Sequence, residues 1–286
     1  MYRLIALLLL VPGVIRLVPG VNPVYGQHAS GKVAAAPALT GQALVDRALA
    51  NELDAAQDTS HPMRYQLRKT SPRLTTTKEI METKDGEVAR LTAINDKPLS
   101  AADEGNEEAR LHALLGDPGK QRRRKQAEDD DADRALKLLR ALPSAFLCQY
   151  AGAGEGPTGK VEKFTFRPKP GFEPLDMETA ILPAMAGEIW IDPVHVRVAR
   201  LESHMQKDVD FGWGILGRLY KGGWIVIEQA DVGAGQWRTV RFQMQISGRV
   251  FFRSKVFDTT ETQTNYAPLP VGMSYQKAIE LLLSGK

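Results

Sequence analysis

A glycine-rich loop that ends in a lysine is the first segment whose spacing could do chemistry. The run GEGPTGK from Gly154 to Lys160 has the spacing of a phosphate-binding loop, in which backbone N–H groups and a lysine surround nucleotide phosphates. The next residue is Val161, where such a loop needs a serine or threonine for Mg²⁺, and a strand-like run follows instead of a helix. The context therefore predicts a hairpin loop and no nucleotide site.

A run of cations at 120–125 is the second such segment. Clustered cations gain by neutralising phosphates, so the run could bind a nucleic acid or an anionic membrane. A run of acids follows at once, and Arg124 with Glu128, like Lys125 with Asp129, has the spacing of neighbours on a helix. This pattern favours a self-compensated, solvated helix, and no nucleic-acid partner is expected.

The other candidate residues form no catalytic or metal-binding set. His195 and His204 are nine residues apart, which would place them on opposite faces of a regular strand. No HExxH, paired CxxC or GxSxG segment is present. We therefore expect no catalytic residues, no metal and no cofactor, and so no enzyme. The single cysteine, Cys148, cannot form an internal disulfide, and its apolar neighbours predict a buried, unreactive thiol.

The N-terminus has the organisation of a secretory signal. A short basic start precedes an apolar stretch that is too brief to span a bilayer comfortably. Cleavage is predicted after Gly26, because Val24 and Gly26 are small enough for the two pockets that a signal peptidase reads. Residues 1–26 would be the signal peptide and residues 27–39 a flexible linker, leaving a periplasmic protein without a transmembrane span. An uncleaved membrane anchor is the alternative.

Charge gives little information about partners. Removing residues 1–26 takes away 2 of the 37 basic side chains and none of the 34 acidic ones, so 35 would oppose 34. A net charge of +1 predicts no particular charged partner. The remaining chain, residues 40–286, is predicted to form a single domain.

Hydrophobic periodicity predicts the elements that would position these residues. Thr40 is expected to cap a helix that runs to Gln57, and a meander of strands follows it. At about 100–142 the period changes from 2 to 3.6, which predicts a helical insertion. Strands then resume, including Thr179–Ala184 and Val194–Ser203.

The later part of the chain decides the predicted fold class. Residues 184–258 alternate apolar and polar side chains with hardly an interruption, and Ser274 is expected to cap a short final helix. The class predicted is mainly β (α+β), with one large, curved antiparallel sheet that helices cover.

Two pairs of side chains are the candidates for a ligand cavity. Phe242 and Met244 share the apolar face of the clearest alternating strand, and Phe164 and Phe166 form a second such pair. We expect the two faces to converge on the interior of the curved sheet. A sheet of this length has more apolar surface than two short helices usually cover, which favours space for a ligand.

One hairpin resembles a known family. Gly187-Glu188-Ile189-Trp190-Ile191-Asp192, followed by Val196-Arg197-Val198-Ala199-Arg200-Leu201-Glu202, resembles the bacterial outer-membrane lipoprotein-sorting and lipoprotein-carrier superfamily. The strand that ends in Asn95-Asp96-Lys97-Pro98-Leu99-Ser100 also fits the order of elements in that family. The insertion at 100–142 is longer than a simple carrier needs, and no residue here matches the positions that gate the family's cavity.

This resemblance implies a fold and a function. The fold would be an incomplete barrel whose apolar cavity shelters acyl chains in the periplasm. The protein would be a non-enzymatic carrier or binding protein for a lipid or a lipidated protein, and an outer-membrane or envelope protein could be its partner. The alternative is an envelope interaction or sensor module that fills its cavity with its own side chains and binds a protein partner.

Overall fold

One large antiparallel sheet dominates the computed structural model, which describes residues 41–211, 217–250 and 253–285. Its thirteen strands are β1 (Met63–Thr70), β2 (Thr75–Met81), β3 (Val88–Ile94), β4 (Lys97–Pro98), β5 (Phe146–Gly156), β6 (Gly159–Pro168), β7 (Met185–Asp192), β8 (Arg197–Met205), β9 (Val209–Phe211), β10 (Gly217–Leu219), β11 (Trp224–Asp231), β12 (Trp237–Val250) and β13 (Arg253–Pro268). The helices are α1 (Gln42–Gln57), α2 (Ala101–Leu115), α3 (Pro118–Ala145) and α4 (Tyr275–Ser284), with a 3-10 helix at Thr179–Ala184.

The strand order shows an open sheet. Neighbours follow the order β4-β3-β2-β1-β13-β12-β11-β8-β7-β6-β5, and the short strands β9 and β10 extend it beside β12. β4 and β5 stand at the two ends of this order and do not pair with each other. The sheet is therefore not closed, as in an incomplete barrel, and the predicted mainly β, α+β class is confirmed.

The predicted helical insertion is present between β4 and β5. It consists of α2 and α3, which are separated at Gly116 and Asp117, and α3 continues to Ala145. Of the two predicted pairs on α3, the one between Lys125 and Asp129 is confirmed, since Lys125 Nζ lies 2.8 Å from Asp129 Oδ1. Asp117 caps α3 by accepting a hydrogen bond from the backbone N–H of Lys120 at 2.8 Å.

Both ends of the described chain are helical. At α1 the N-cap residue is Gly41, which has no side chain to accept a hydrogen bond. Thr40, the predicted cap, lies outside the described residues, as do the predicted signal peptide and linker. The cap of α4 is confirmed, because Ser274 Oγ accepts from the backbone N–H of Lys277 at 3.3 Å.

The prediction of a strand from Val194 is wrong, because a turn occupies residues 193–196 and β8 begins at Arg197. The carboxylate of Asp192 accepts hydrogen bonds from the backbone N–H groups of Val194 and His195, each at 2.9 Å, and this favours a turn over a ladder. Val194 is mostly exposed, and His195 has no strand face on which to lie.

The strand predicted at Thr179–Ala184 is also wrong, since this segment is the 3-10 helix. Asp176 Oδ1 accepts from the backbone N–H of Thr179 at 2.9 Å and starts the helical turn. Pro183 cannot donate to a strand ladder, so the segment is poorly suited to the sheet. The glycine-rich run forms the predicted hairpin, in which β5 and β6 meet across Pro157 and Thr158.

Candidate functional site

Two rows of side chains cross five strands on the inner face of the sheet. The strands β6, β7, β8, β11 and β12 pair in register, so that residues of successive strands stand beside one another. The first row is Phe164, Ile189, Leu201, Ile227 and Phe242. The second row is Phe166, Gly187, Ser203, Ile225 and Met244.

The four predicted cavity residues stand at the ends of these rows. Phe164 and Phe242 end the first row, and Phe166 and Met244 end the second. All four are buried in one hydrophobic core. The convergence of the two faces is therefore visible in the structure, while contact of these residues with a ligand stays a prediction.

The middle of the second row holds its smallest side chains. Gly187 has no side chain and Ser203 has a small one, whereas the corresponding positions of the first row hold Ile189 and Leu201. Gly187 is required by packing, because a Cβ there would overlap the carbonyl group of Glu202 on β8. Helices α1 and α3 cover this part of the sheet, and a cavity of about 150 Å³ remains between them and the strands.

The cavity is almost entirely apolar. Its walls include side chains from α1, α3, the 3-10 helix and the inner face of the sheet, among them Val45, Leu49, Leu138, Leu142, Phe146, Phe166, Ile181, Leu182, Met185, Ile189, Val198, Leu201, Ile225 and Ile227. Of the four predicted residues, Phe166 lines this cavity. Phe164, Phe242 and Met244 pack around it within the core.

One end of the cavity is polar and holds a buried ion pair. Glu52 of α1 is 3% exposed, and Arg197 donates to its carboxylate from Nε at 2.8 Å and from Nη2 at 3.0 Å. The backbone N–H of Val198 and the Nε2 of Gln229 donate to the same carboxylate at 2.9 Å and 3.1 Å. These bonds satisfy both carboxylate oxygens and fix α1 on β8.

Three polar side chains on the cavity wall keep an atom without a hydrogen-bond partner. They are Ser203, Gln229 and Thr239, each at most 4% exposed, and the atoms are Ser203 Oγ, Gln229 Oε1 and Thr239 Oγ1. Buried polar atoms are normally paired, so three such atoms in one cavity are unusual. None of them was predicted from the sequence. A detectable signal was Glu52, which falls on the apolar stripe of its helix, seven residues after Val45 and three after Leu49.

Cys148 lies at the edge of the same cavity, and it is half-buried rather than fully buried. Burial raises the pKa of its thiol to about 11, and the nearby carboxylate of Asp46 adds to the rise. Burial disfavours the charged thiolate, and the negative charge of Asp46 repels it. The thiol is therefore protonated at neutral pH, which agrees with a poorly reactive cysteine.

Trp190, the aromatic residue of the hairpin motif, faces away from the cavity. Its ring lies between two cations, with Lys163 Nζ 4.0 Å and the guanidinium carbon of Arg200 5.2 Å from the ring centroid. Its Nε1 donates to Glu188 at 3.0 Å. The motif therefore forms a charged outer surface through Trp190, and it contributes Ile189 to the cavity.

A second, larger groove lies beside the C-terminal end of α1. Its volume is about 620 Å³, and it carries many charged side chains, among them Asp58, Glu82, Lys84, Glu87, Lys125, Glu128, Asp131, Arg238 and Glu261. Burial raises the pKa of Glu82, whose carboxylate accepts from the backbone N–H of Met63 at 2.8 Å. Such a groove suits a charged protein surface better than an acyl chain.

Across residues 41–211, 217–250 and 253–285, no group of three or more His, Cys, Asp or Glu side chains could hold a metal ion. In the same part of the chain no helix has the length and apolar character needed to cross a membrane.

Comparisons with known proteins give one distant likeness. No protein-family model and no curated protein sequence matches the chain. A solved structure of an outer membrane lipoprotein-sorting protein domain from Vibrio parahaemolyticus is similar to 82% of this chain and 97% of its own length. The two sequences are 9% identical and the TM-score is 0.31. A TM-score of this size does not assign the chain to that family.

Proposed function

We propose that this protein is a periplasmic, non-enzymatic carrier or binding protein that holds an acyl chain of a lipid or a lipidated protein in the cavity beneath α1 and α3. The observation that carries the proposal is the apolar cavity beside Ser203, whose small side chain stands where the first row holds Leu201. Apolar burial contributes about 25 cal/mol per Å², so part of one chain supplies several kcal/mol. Binding of this kind needs no covalent step.

The volume of the cavity limits what enters without rearrangement. A dry apolar cavity of about 150 Å³ holds a benzene-sized molecule, so the present cavity accepts the end of one chain. A longer chain requires α1 or α3 to move away from the sheet. Release would then follow when an envelope partner binds the chain more tightly or restores the closed position of the helices.

The second candidate function is an envelope interaction or sensor module. The observation in its favour is that Phe164, Phe242 and Met244, each at most 1% exposed, fill the interior with the protein's own side chains. In this case the charged groove and the exposed face of α3 would bind a protein partner, and the small cavity would be a packing defect.

A cavity-filling variant separates the two functions. Ile225→Phe adds a ring to a side chain that lines the cavity, so a fluorescent acyl probe should lose at least tenfold in affinity while stability is kept. Ile246→Phe is the matched control, because Ile246 is buried in the same core but does not line the cavity. It should retain probe binding and lose about 1 to 3 kcal/mol of stability.

Mass spectrometry of the gently purified protein completes the test. The carrier should retain a lipid-sized mass under non-denaturing conditions, and the Ile225→Phe variant should lose it. A wild type that retains no lipid and binds no acyl probe would remove the carrier function and leave the interaction module. Export is tested separately, because N-terminal sequencing of the periplasmic protein should begin at Gln27.

A further inference from the structure

The polar end of the cavity has an unused hydrogen-bonding capacity that the proposed carrier function does not explain. Gln229 on β11 and Thr239 on β12 are a directly registered pair. Gln229 Nε2 is committed to Glu52 Oε2 and to the carbonyl oxygen of Val198, both at 3.1 Å. Because both partners are acceptors, the nitrogen of this amide must face them. The free atom is therefore the carbonyl oxygen, Oε1.

The two free groups of this pair are complementary. Gln229 Oε1 can only accept a hydrogen bond, whereas the hydroxyl of Thr239 can donate one. A ligand group that both donates and accepts would satisfy the two groups at once, and a hydroxyl or a primary amide is such a group. The backbone carbonyl of Thr239 is already used, because it accepts from Tyr266 Oη at 2.7 Å.

The charges around this pair favour a neutral ligand group. Glu52 is the single charged residue on the cavity wall within the described chain, and its two oxygens are engaged by Arg197, Val198 and Gln229. Arg197, the neighbouring cation, is bound in two places by the carboxylate of Glu52. A carboxylate or phosphate at this end of the cavity would be buried without a cation, which is strongly unfavourable.

On this basis we infer that the cavity selects an apolar ligand with a neutral hydrogen-bonding group, a hydroxyl or an amide, which Gln229 Oε1 and Thr239 Oγ1 bind, and that it rejects the corresponding carboxylate. The inference rests on the proposed function, since it assumes that an apolar ligand enters. The kind of ligand group follows from the unpaired atoms of Gln229 on β11 and Thr239 on β12.

The test uses probes of a size that the cavity accepts: hexane, hexan-1-ol, hexanamide and hexanoate, with affinities from methyl NMR titrations of the full protein. Thr239→Val keeps the shape of the side chain and removes its hydroxyl. It should weaken hexan-1-ol and hexanamide about tenfold and leave hexane unchanged. In the wild type, hexanoate should bind at least tenfold more weakly than hexan-1-ol.

Three further variants serve as controls. Thr239→Ser retains a hydroxyl and should keep the affinity for hexan-1-ol, whereas Thr239→Ala should lose it, so this pair repeats the comparison should the valine variant not fold. Ser203→Ala removes a different unpartnered hydroxyl on the same wall, about 13 Å along the strands from the pair. It should leave the preference for hexan-1-ol unchanged.

The outcomes separate the two proposals. Three results would each overturn the inference and leave the proposed function standing. The first is that hexane binds but Thr239→Val does not change the affinity for hexan-1-ol or hexanamide. The others are that Ser203→Ala weakens hexan-1-ol more than Thr239→Val does, or that hexanoate binds as tightly as hexan-1-ol. Failure of all four probes to bind the wild type would overturn the proposed function, and the inference with it.

Discussion

Phe242 and Phe166 face the same core, and their surroundings differ. Phe242 is completely buried among packed side chains, whereas Phe166 has the cavity on one side of its ring. Removing a ring from a packed core costs about 3 to 5 kcal/mol, because a new cavity forms and many contacts are lost. A ring beside an existing cavity makes fewer contacts, so its removal loses less dispersion energy.

We therefore predict that Phe242→Ala lowers the free energy of unfolding by about 3 to 5 kcal/mol and that Phe166→Ala lowers it by less. Denaturant unfolding of the two variants measures both values, and each variant is the control for the other. Acyl-probe binding should suffer more in Phe166→Ala than in Phe242→Ala once stability is allowed for. Equal losses of stability would show that Phe166 is packed on all sides.

The labelling rate of Cys148, which lines the cavity, should depend on pH. Since burial raises the pKa of its thiol to about 11, the reactive thiolate is a small fraction of the folded protein at neutral pH. The rate of labelling by a polar thiol reagent should rise roughly tenfold per pH unit from about pH 7 to about pH 9. Urea-unfolded protein is the control and should react much faster at neutral pH.

Asp46→Asn removes the nearby negative charge and should raise the labelling rate at a given pH. A saturating acyl ligand should slow labelling, because Cys148 lines the cavity. A folded protein that reacts as fast as the unfolded chain would contradict the raised pKa.

At the scale of elements, Glu52 holds the covering helix on the sheet. Its carboxylate binds the side chain of Arg197 and the backbone of Val198, and the neighbouring Asn51 donates to the carbonyl oxygen of Val196 at 2.9 Å. Arg197 and Val198 belong to β8, and Val196 belongs to the turn before it. The position of α1, and with it one wall of the cavity, therefore depends on this network.

We predict that Glu52→Ala destabilises the protein by about 3 to 5 kcal/mol, because it leaves the charge of Arg197 largely buried without a partner. Glu52→Ala combined with Arg197→Met should recover part of this loss, since the unpaired charge is then removed. Asp129→Ala is the control. It breaks the exposed pair with Lys125 and should change stability by at most about 0.5 kcal/mol.

A double variant no more stable than Glu52→Ala alone would show that the hydrogen bonds to Val198 and Gln229 carry the effect. In that case the ion pair itself would contribute little to the position of α1.

Most of the strand alternation and the cap of α4 were predictable because each depends on neighbours in the sequence. The hairpin at Gly154–Lys160, the helical insertion and the cap at Ser274 follow such local rules. The turn before β8 was missed because the hydrogen bonds that the Asp192 carboxylate accepts outweigh the β propensity of Val194 and Val196. The local sequence pattern does not show which of these two effects is stronger.

The candidate site was harder to predict, because it depends on register. That Phe164 and Phe242 end one row follows from four successive strand pairings, and the space between the rows depends on which small residues meet. The partnership of Glu52 with Arg197 joins residues 145 positions apart. Single-sequence periodicity locates the apolar face of each element and does not determine such distant pairs.

At the scale of the whole molecule, charge and apolar surface are separated. The chain has 37 basic and 34 acidic side chains, and its formal net charge is +3. The outer row through Lys163, Trp190, Arg200 and Glu228 is charged, whereas the two inner rows are apolar except for Ser203. The charged residue of the cavity wall, Glu52, lies at its polar end. Binding in the cavity should therefore depend on apolar burial and little on long-range attraction.

We predict that the affinity for a neutral acyl-ester probe changes less than about threefold between about 0.05 M and about 0.5 M NaCl, because salt screens charges and does not weaken apolar burial. Fluorescence titration of the full protein at the two salt concentrations measures this. A cationic peptide is the contrasting ligand: if it binds the charged groove, its affinity should fall steeply over the same range, since opposite charges at an exposed groove are screened. An acyl probe that also loses tenfold or more in high salt would show that surface charges hold it, and that the cavity under α1 and α3 is not its site.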